Sequence, residues 1–170
     1  MSTPNSAPAG KTRDLVVTRV MNAPVELVWK AWTDPALVMR WWGPDYFTSP
    51  SAKIDFREGA SSIVCMRAPK DFGGQDFYNT WAYRQIVPMQ RIEFIQNLTD
   101  KDGQRIDPAV VGMPPDFPED IRTVVTFKPL GDKTEMTITE YGLPSPDTQM
   151  GKNAELGLNQ TMDKMAAIFG

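Results

Sequence analysis

Four of the chain's five tryptophans (Trp29, Trp32, Trp41 and Trp42) crowd into one stretch, Ala23 to Phe47, and this stretch constrains the fold more than any other. It reads as two short helices split by a proline. In the first, Pro24 suits an opening turn, where a missing N–H costs nothing, and Glu26 complements the positive end of the helix dipole. Val25, Val28, Trp29 and Trp32 recur at i, i+3, i+4 and i+7, a single apolar stripe. Thr33 or Asp34 caps a second helix that Pro35 opens, carrying Leu37, Val38, Trp41 and Trp42. Gly43-Pro44 ends it, because glycine accepts positive φ and proline cannot continue a helix. Two helices this rich in indole need a large concave apolar surface, and a curved sheet supplies one.

The rest of the chain provides the strands. Residues 1–12 are small, polar and rich in Pro and Gly, and read as a disordered tail without the apolar core of a secretory signal. From Asp14 the β-branched run LVVTRVM predicts a buried first strand. Further strands are predicted at 51–56, 60–68, 77–87, 91–98, 121–130 and 134–141. The short turns Arg57-Glu58-Gly59, Asp71 to Gln75 and Gly131-Asp132 imply antiparallel neighbours.

Residues 147–169 predict one long helix, capped by Ser145 with Pro146 at its first position. Met150, Ala154, Leu158, Met162, Met165 and Phe169 form its apolar stripe. At 1.5 Å per residue it is a rod of about 34 Å, enough to cross a sheet diagonally. Gly157 in its middle costs about 1 kcal/mol relative to alanine, which points to a strand or ligand approaching the helix there. Residues 99–120, with four prolines and scattered Val110, Val111, Met113 and Phe117, are too long for a hairpin loop and read as an ordered flap.

The string APVELVWKAWTDPALVMRWWGP resembles the start of an Hsp90-ATPase-activator-like domain, a group within the START/SRPBCC/Bet v 1 superfamily. The similarity continues at Arg84 to Pro88, Arg91 to Phe94, Thr123 to Thr139 and Gly157 to Ala167, and covers about residues 14–169. It implies an α+β helix-grip fold: a curved antiparallel sheet of about six to seven strands wrapped around a long C-terminal helix, with two short helices after the first strand. The expected organisation is one domain, 13–170, after the tail. Three positions depart from the family pattern: Leu158 replaces a usual tryptophan, Gln85 a frequent glutamate and Trp81 a common glycine. A single domain also leaves no room for the extra Hsp90-binding domain of true activators.

Composition narrows the function. A net charge of −3 and a pI near 5 give no field that attracts phosphate backbones, so nucleic acid is not an expected partner. The absence of histidine removes Ser-His-Asp and Cys-His nucleophile pairs, His-ligated zinc and imidazole acid–base catalysis together. A lone cysteine, Cys65, excludes an internal disulfide and reads as a small buried hydrophobe; with no membrane span in the sequence, the expected location is cytoplasmic. The Asp100-x-Asp102-Gly103 sequence lacks the remaining ligands of a calcium loop, and Asp71 to Gln75 lacks the following helix of a phosphate loop. No cofactor, metal or catalytic residue is expected. The oligomeric state is open, and a homodimer is compatible.

What remains is an apolar pocket between sheet, C-terminal helix and flap. Its candidate lining is Trp42, Tyr46, Met66, Trp81, Tyr83, Phe94, Met113, Phe117, Leu158, Met162 and Met165. Charged strand residues (Arg19, Arg67, Arg84, Glu93, Arg122, Glu140) read as solvated faces. The expected function is binding of a small hydrophobic or amphipathic molecule without catalysis. A polyketide-cyclase or aromatase-like enzyme acting by confinement with a few Tyr, Arg or Glu groups, and a chaperone-associated interaction module, are the alternatives.

Overall fold

The computed structural model describes residues 12–170, so the expected tail lies outside the described residues except for Thr12, which already belongs to the first strand. The elements run in order β1 (Thr12–Met21), α1 (Val25–Thr33), α2 (Pro35–Trp41), β2 (Thr48–Lys53), β3 (Ser61–Arg67), β4 (Asp76–Val87), β5 (Arg91–Thr99), β6 (Asp120–Leu130), β7 (Lys133–Pro144) and α3 (Gln149–Ile168). The seven strands form one antiparallel sheet in the order β1-β7-β6-β5-β4-β3-β2. Every neighbouring pair but β1-β7 is consecutive in sequence, as short turns require. The first strand closes against the last, with Val17 opposite Ile138 and Arg19 opposite Met136.

Strand parity sets the inner face. Leu15, Val17 and Met21 of β1, Ile92, Phe94 and Gln96 of β5, and Thr134, Met136 and Ile138 of β7 are all buried. The two tryptophan helices fill the hollow this face makes. Trp32 is 2% exposed and packs against Trp41 (ring centroids 4.7 Å), Trp81 (5.7 Å) and Phe94 (6.1 Å). Trp29 sits edge-on to Phe56 and Phe127. Trp41 donates its indole N–H to Ala31 O at 2.8 Å, and Trp32 donates to the Met136 sulfur at 3.3 Å. These indoles are therefore the core that the sheet closes on.

Helix ends follow local chemistry. Of the two capping candidates for α2 it is Asp34 that accepts from Ala36 N, at 2.9 Å, with Pro35 next. For α3 the expected cap is corrected. Thr148 Oγ1 accepts from Gly151 N at 3.0 Å, while Ser145 heads the preceding turn. The cause is a close approach: a Cβ on Gly151 would stand 1.9 Å from Ser145 O, so only glycine lets the chain fold back onto the helix start. Arg13 donates to Gly151 O and pairs with Glu155, and Arg19 pairs with Asp163, fastening α3 along β1.

Two further boundaries move. The second strand spans Thr48–Lys53 instead of 51–56, because Asp55 N donates to Ser62 Oγ and Asp55 pairs with Arg57, bending the chain after Lys53. Residues 100–119 carry structure of their own. Asp100 Oδ1 accepts from Asp102 N and Gln104 N in a tight turn, Arg105 bridges back to Thr99, and a 3-10 turn spans Pro108–Val111.

Removing one central indole tests this core. Trp32→Ala is expected to cost about 3–5 kcal/mol in urea melts, the range for deleting a buried large aromatic. A loss under about 1 kcal/mol would mean that the sheet does not close on these rings.

Candidate functional site

The indoles do not fill the whole hollow. Toward the start of α3 they leave a cavity of about 210 Å³. Trp42, Gly43 and Pro44 wall it after α2, Met66 from β3, Phe117 and Pro118 from the end of the flap, Ile121 from β6, and Glu140 and Leu143 from β7. Met150, Asn153, Ala154, Gly157, Leu158 and Thr161 form the α3 wall. A wider groove of about 630 Å³ shares Met66, Phe117, Met150, Asn153 and Ala154 with it and adds Phe47, Met113, Pro114, Asp116 and Gln149. The cavity thus opens outward between flap and helix.

The eleven sequence candidates separate into three groups. Trp42, Met66, Phe117 and Leu158 line the cavity, and Met113 lines the outer groove. Trp81, Tyr83, Phe94, Met162 and Met165 are 3% exposed or less and belong to the closed core. Their parity and helical phase aim them inward as expected, but the indoles occupy the space they face. Trp81 alone packs against Trp32, Trp41, Trp42 and Phe94. Tyr46 is 85% exposed and lines neither space. Its φ of +70° reverses the chain in a turn closed by Phe47 N donating to Pro44 O, and its side chain is left outside.

That turn is pinned from α3. Lys164 Nζ donates to Gly43 O, Pro44 O and Phe47 O at 3.0, 3.4 and 3.2 Å, using all three of its protons. Burial pulls its ammonium pKa down, and nearby Asp45 partly offsets this. Gly43, at φ +105°, lies so near Phe47 and Met66 that an added Cβ would come within 3.1 and 3.3 Å of theirs. Of the two reasons expected for Gly157, a strand is not the one: none crowds it, its nearest neighbour would be Pro44 Cβ at 3.9 Å, and it opens on the cavity.

The residue the sequence reading misplaced is Glu140. It is not on a solvated face. Thr134, Met136 and Ile138 precede it at two-residue spacing on the inner face of β7, and that alternation is the signal that finds it. Among the cavity-lining residues it is the only one with an ionisable side chain. Burial pushes its carboxyl above the usual carboxylate range, against a weaker downward pull from Gln96, whose Nε2 donates to Oε2 at 2.9 Å. Gln96 Nε2 also donates to Thr123 Oγ1 at 3.0 Å.

Other reactive groups lie elsewhere. Burial pushes the Tyr83 phenol up to about 12, and its hydroxyl is paired with Ser62 at 2.7 Å. Cys65 is buried and its thiol pushed up, again by burial first. Glu93 is held low by Arg122 and Arg91 in an ion cluster of the outer face. Among the described residues no group of three or more His, Cys, Asp and Glu side chains is arranged to hold a metal, and no helix is long and apolar enough to cross a membrane.

Glu140 gives the site a pH signature. Its folded-state pKa lies above the unfolded reference of 4.5, so its stabilising contribution is complete below that value and is lost as pH rises through the folded one. Glu140→Gln removes this loss. The variant's melting temperature is expected to gain on that of the parent as pH rises above 4.5. A difference that stays constant as pH rises would show Glu140 titrating as an ordinary exposed carboxylate.

Comparison with known proteins agrees with this architecture. No curated protein matches the chain. Among solved structures, a protein of Chromobacterium violaceum superposes with a TM-score of 0.72 at 25% identity, over 92% of this chain and 96% of its own. A protein of Arthrobacter aurescens gives 0.71 at 24% identity, over 93% and 86%. The AHSA1 protein of Silicibacter pomeroyi gives 0.68 at 20%, over 91% and 96%. The likeness to these last two is one of fold. The family model for the Activator of Hsp90 ATPase homolog 1-like protein matches residues 22–170, and the chain belongs to that family.

Proposed function

We propose that this protein binds a small hydrophobic or amphipathic molecule, without catalysis, in the cavity between α3, β7 and the end of the flap. The observation that carries the reading is the incompletely filled helix-grip core: indoles seal one end, while about 210 Å³ beside Leu158 and Trp42 is left open and continuous with an outer groove. A mostly apolar concavity with a small number of placed polar groups, here Glu140, Asn153 and Thr161, is the usual build of a small-molecule site. The methionines Met66 and Met150 suit it, because thioethers adapt to differently shaped guests. The cyclase-like alternative has less to draw on: Tyr83 and Cys65 are buried outside the cavity lining, which leaves Glu140 without a second acid–base partner.

The family description favours a second reading, a chaperone-associated interaction module. It has a surface to use, since Val16 and Val20 of the edge strand β1 are 56% and 54% exposed. The two readings separate experimentally. Leu158→Trp, which restores the residue usual in similar domains, is expected to lower the affinity for the neutral fluorophore Nile red about tenfold without unfolding the protein. Deleting 108–118 is expected to change the probe's association and release rates in stopped flow more than it changes the melting temperature. If the parent binds no probe, or neither variant alters affinity or rates, the cavity reading fails and the interaction module leads.

A further inference from the structure

Resting on the reading of the cavity as a ligand site, we propose that its guest is an apolar body carrying one amine, held as an ammonium by Glu140. The hydrogen-bond pattern around this carboxyl selects the partner. Thr123 Oγ1 donates to Ile121 O at 3.2 Å, so it must accept from Gln96, and the Gln96 amide is oriented with its nitrogen inward. Both Nε2 protons are then spent, one on Thr123 and one on Glu140 Oε2. Thr123 also lies opposite Glu140 in the β6-β7 ladder and Leu15 opposite it in β1-β7, so the backbone that carries the carboxyl is paired on both sides.

Its other oxygen, Oε1, accepts no hydrogen bond from any described residue. Three cations on the elements around it, α3, β6 and β1, are engaged elsewhere. Lys164 is spent on three carbonyls of the 43–47 turn, and Arg122 pairs with Glu93 and covers the Tyr141 ring at 4.3 Å. Arg13 serves Glu155 and Gly151. Glu140 therefore faces the cavity with an acceptor and no countercharge, in walls that are otherwise apolar apart from Asn153, Thr161 and the unpartnered indole N–H of Trp42. Thr161 is satisfied within its own helix, donating to Gly157 O at 2.7 Å.

A guest ammonium supplies both missing items: protons for Oε1 and a charge that makes the ionised carboxyl favourable in a desolvated site. A hydroxyl supplies only the first. A carboxylate guest meets like charge and is excluded. Charge-assisted hydrogen bonds are worth roughly twice neutral ones, so the amine is expected to gain about tenfold over its alcohol.

Isothermal titration calorimetry on the full chain near neutral pH decides this, with 1-naphthylmethylamine, 1-naphthalenemethanol and 1-naphthoate as probes sharing one apolar body. The expected order is amine, then alcohol about tenfold weaker, then carboxylate weakest. Glu140→Gln should bring the amine down to the level of the alcohol, and Leu158→Trp should weaken amine and alcohol alike, marking the cavity as the site. An alcohol that binds the parent as tightly as the amine overturns the proposal while leaving the cavity reading intact. So does an amine whose affinity ignores Leu158→Trp, which would be ion pairing at the acidic surface. If none of the three probes binds the parent, the proposal and the cavity reading fall together. The parent's own probe series carries the decision even if Glu140→Gln folds poorly.

Discussion

The contact between Trp32 and the rings around it is the constraint from which the rest of the structure follows. The seven-stranded sheet offers one long inner face that has to be covered. Here α1 and α2 bring in indoles, and β4 and β5 answer with Trp81 and Phe94, so that rings meet rings at 4.7–6.1 Å. Aromatic pairs at these separations add about 0.5–1.5 kcal/mol each beyond the area they bury. Because the cluster is concentrated under α2 and the C-terminal half of α3, that end is solid and the opposite end is left with space. The cavity is where the indoles stop.

The same division explains α3. Its apolar stripe is continuous in sequence from Met150 to Phe169, yet it does two jobs. Met162 and Met165 are buried on the ring cluster, while Met150, Ala154 and Leu158 face open volume. Helical periodicity reports which face is apolar and is silent on whether the opposing surface is filled. So the sequence pattern correctly drew a stripe and placed Leu158, Met162 and Met165 together in one pocket, when Met162 and Met165 belong to the core. Trp81, Tyr83 and Phe94 fail as pocket residues for the same reason.

Strand order, the two tryptophan helices and the long terminal helix were legible because each rests on local chemistry: β-branched runs, Pro at helix starts, glycine turns, a 3.6-residue repeat. The cap of α3 was not, since choosing Thr148 over Ser145 depends on how β7 runs back against Gly151, a contact between segments. Tyr46 was misplaced because a non-glycine residue at positive φ leaves no mark in composition. Glu140 is the instructive miss. A charged residue in a strand is usually solvated, and that prior outweighed a parity that was plainly readable from Thr134 onward.

Two effects compete at Glu140, and their order matters for what the cavity can hold. Desolvation favours the neutral acid; the hydrogen bond from Gln96 favours the carboxylate, and desolvation wins. A single neutral donor thus does not offset the loss of water around this carboxyl, consistent with the general cost of an unpaired buried ion. The neutral acid is not at ease either, because its proton has no protein acceptor on Oε1 among the described residues. Either protonation state leaves one requirement unmet from within the fold. The carboxyl at the polar end of the cavity thereby calls for a donor on the guest, while Leu158, Trp42 and Phe117 set the size of the body behind it.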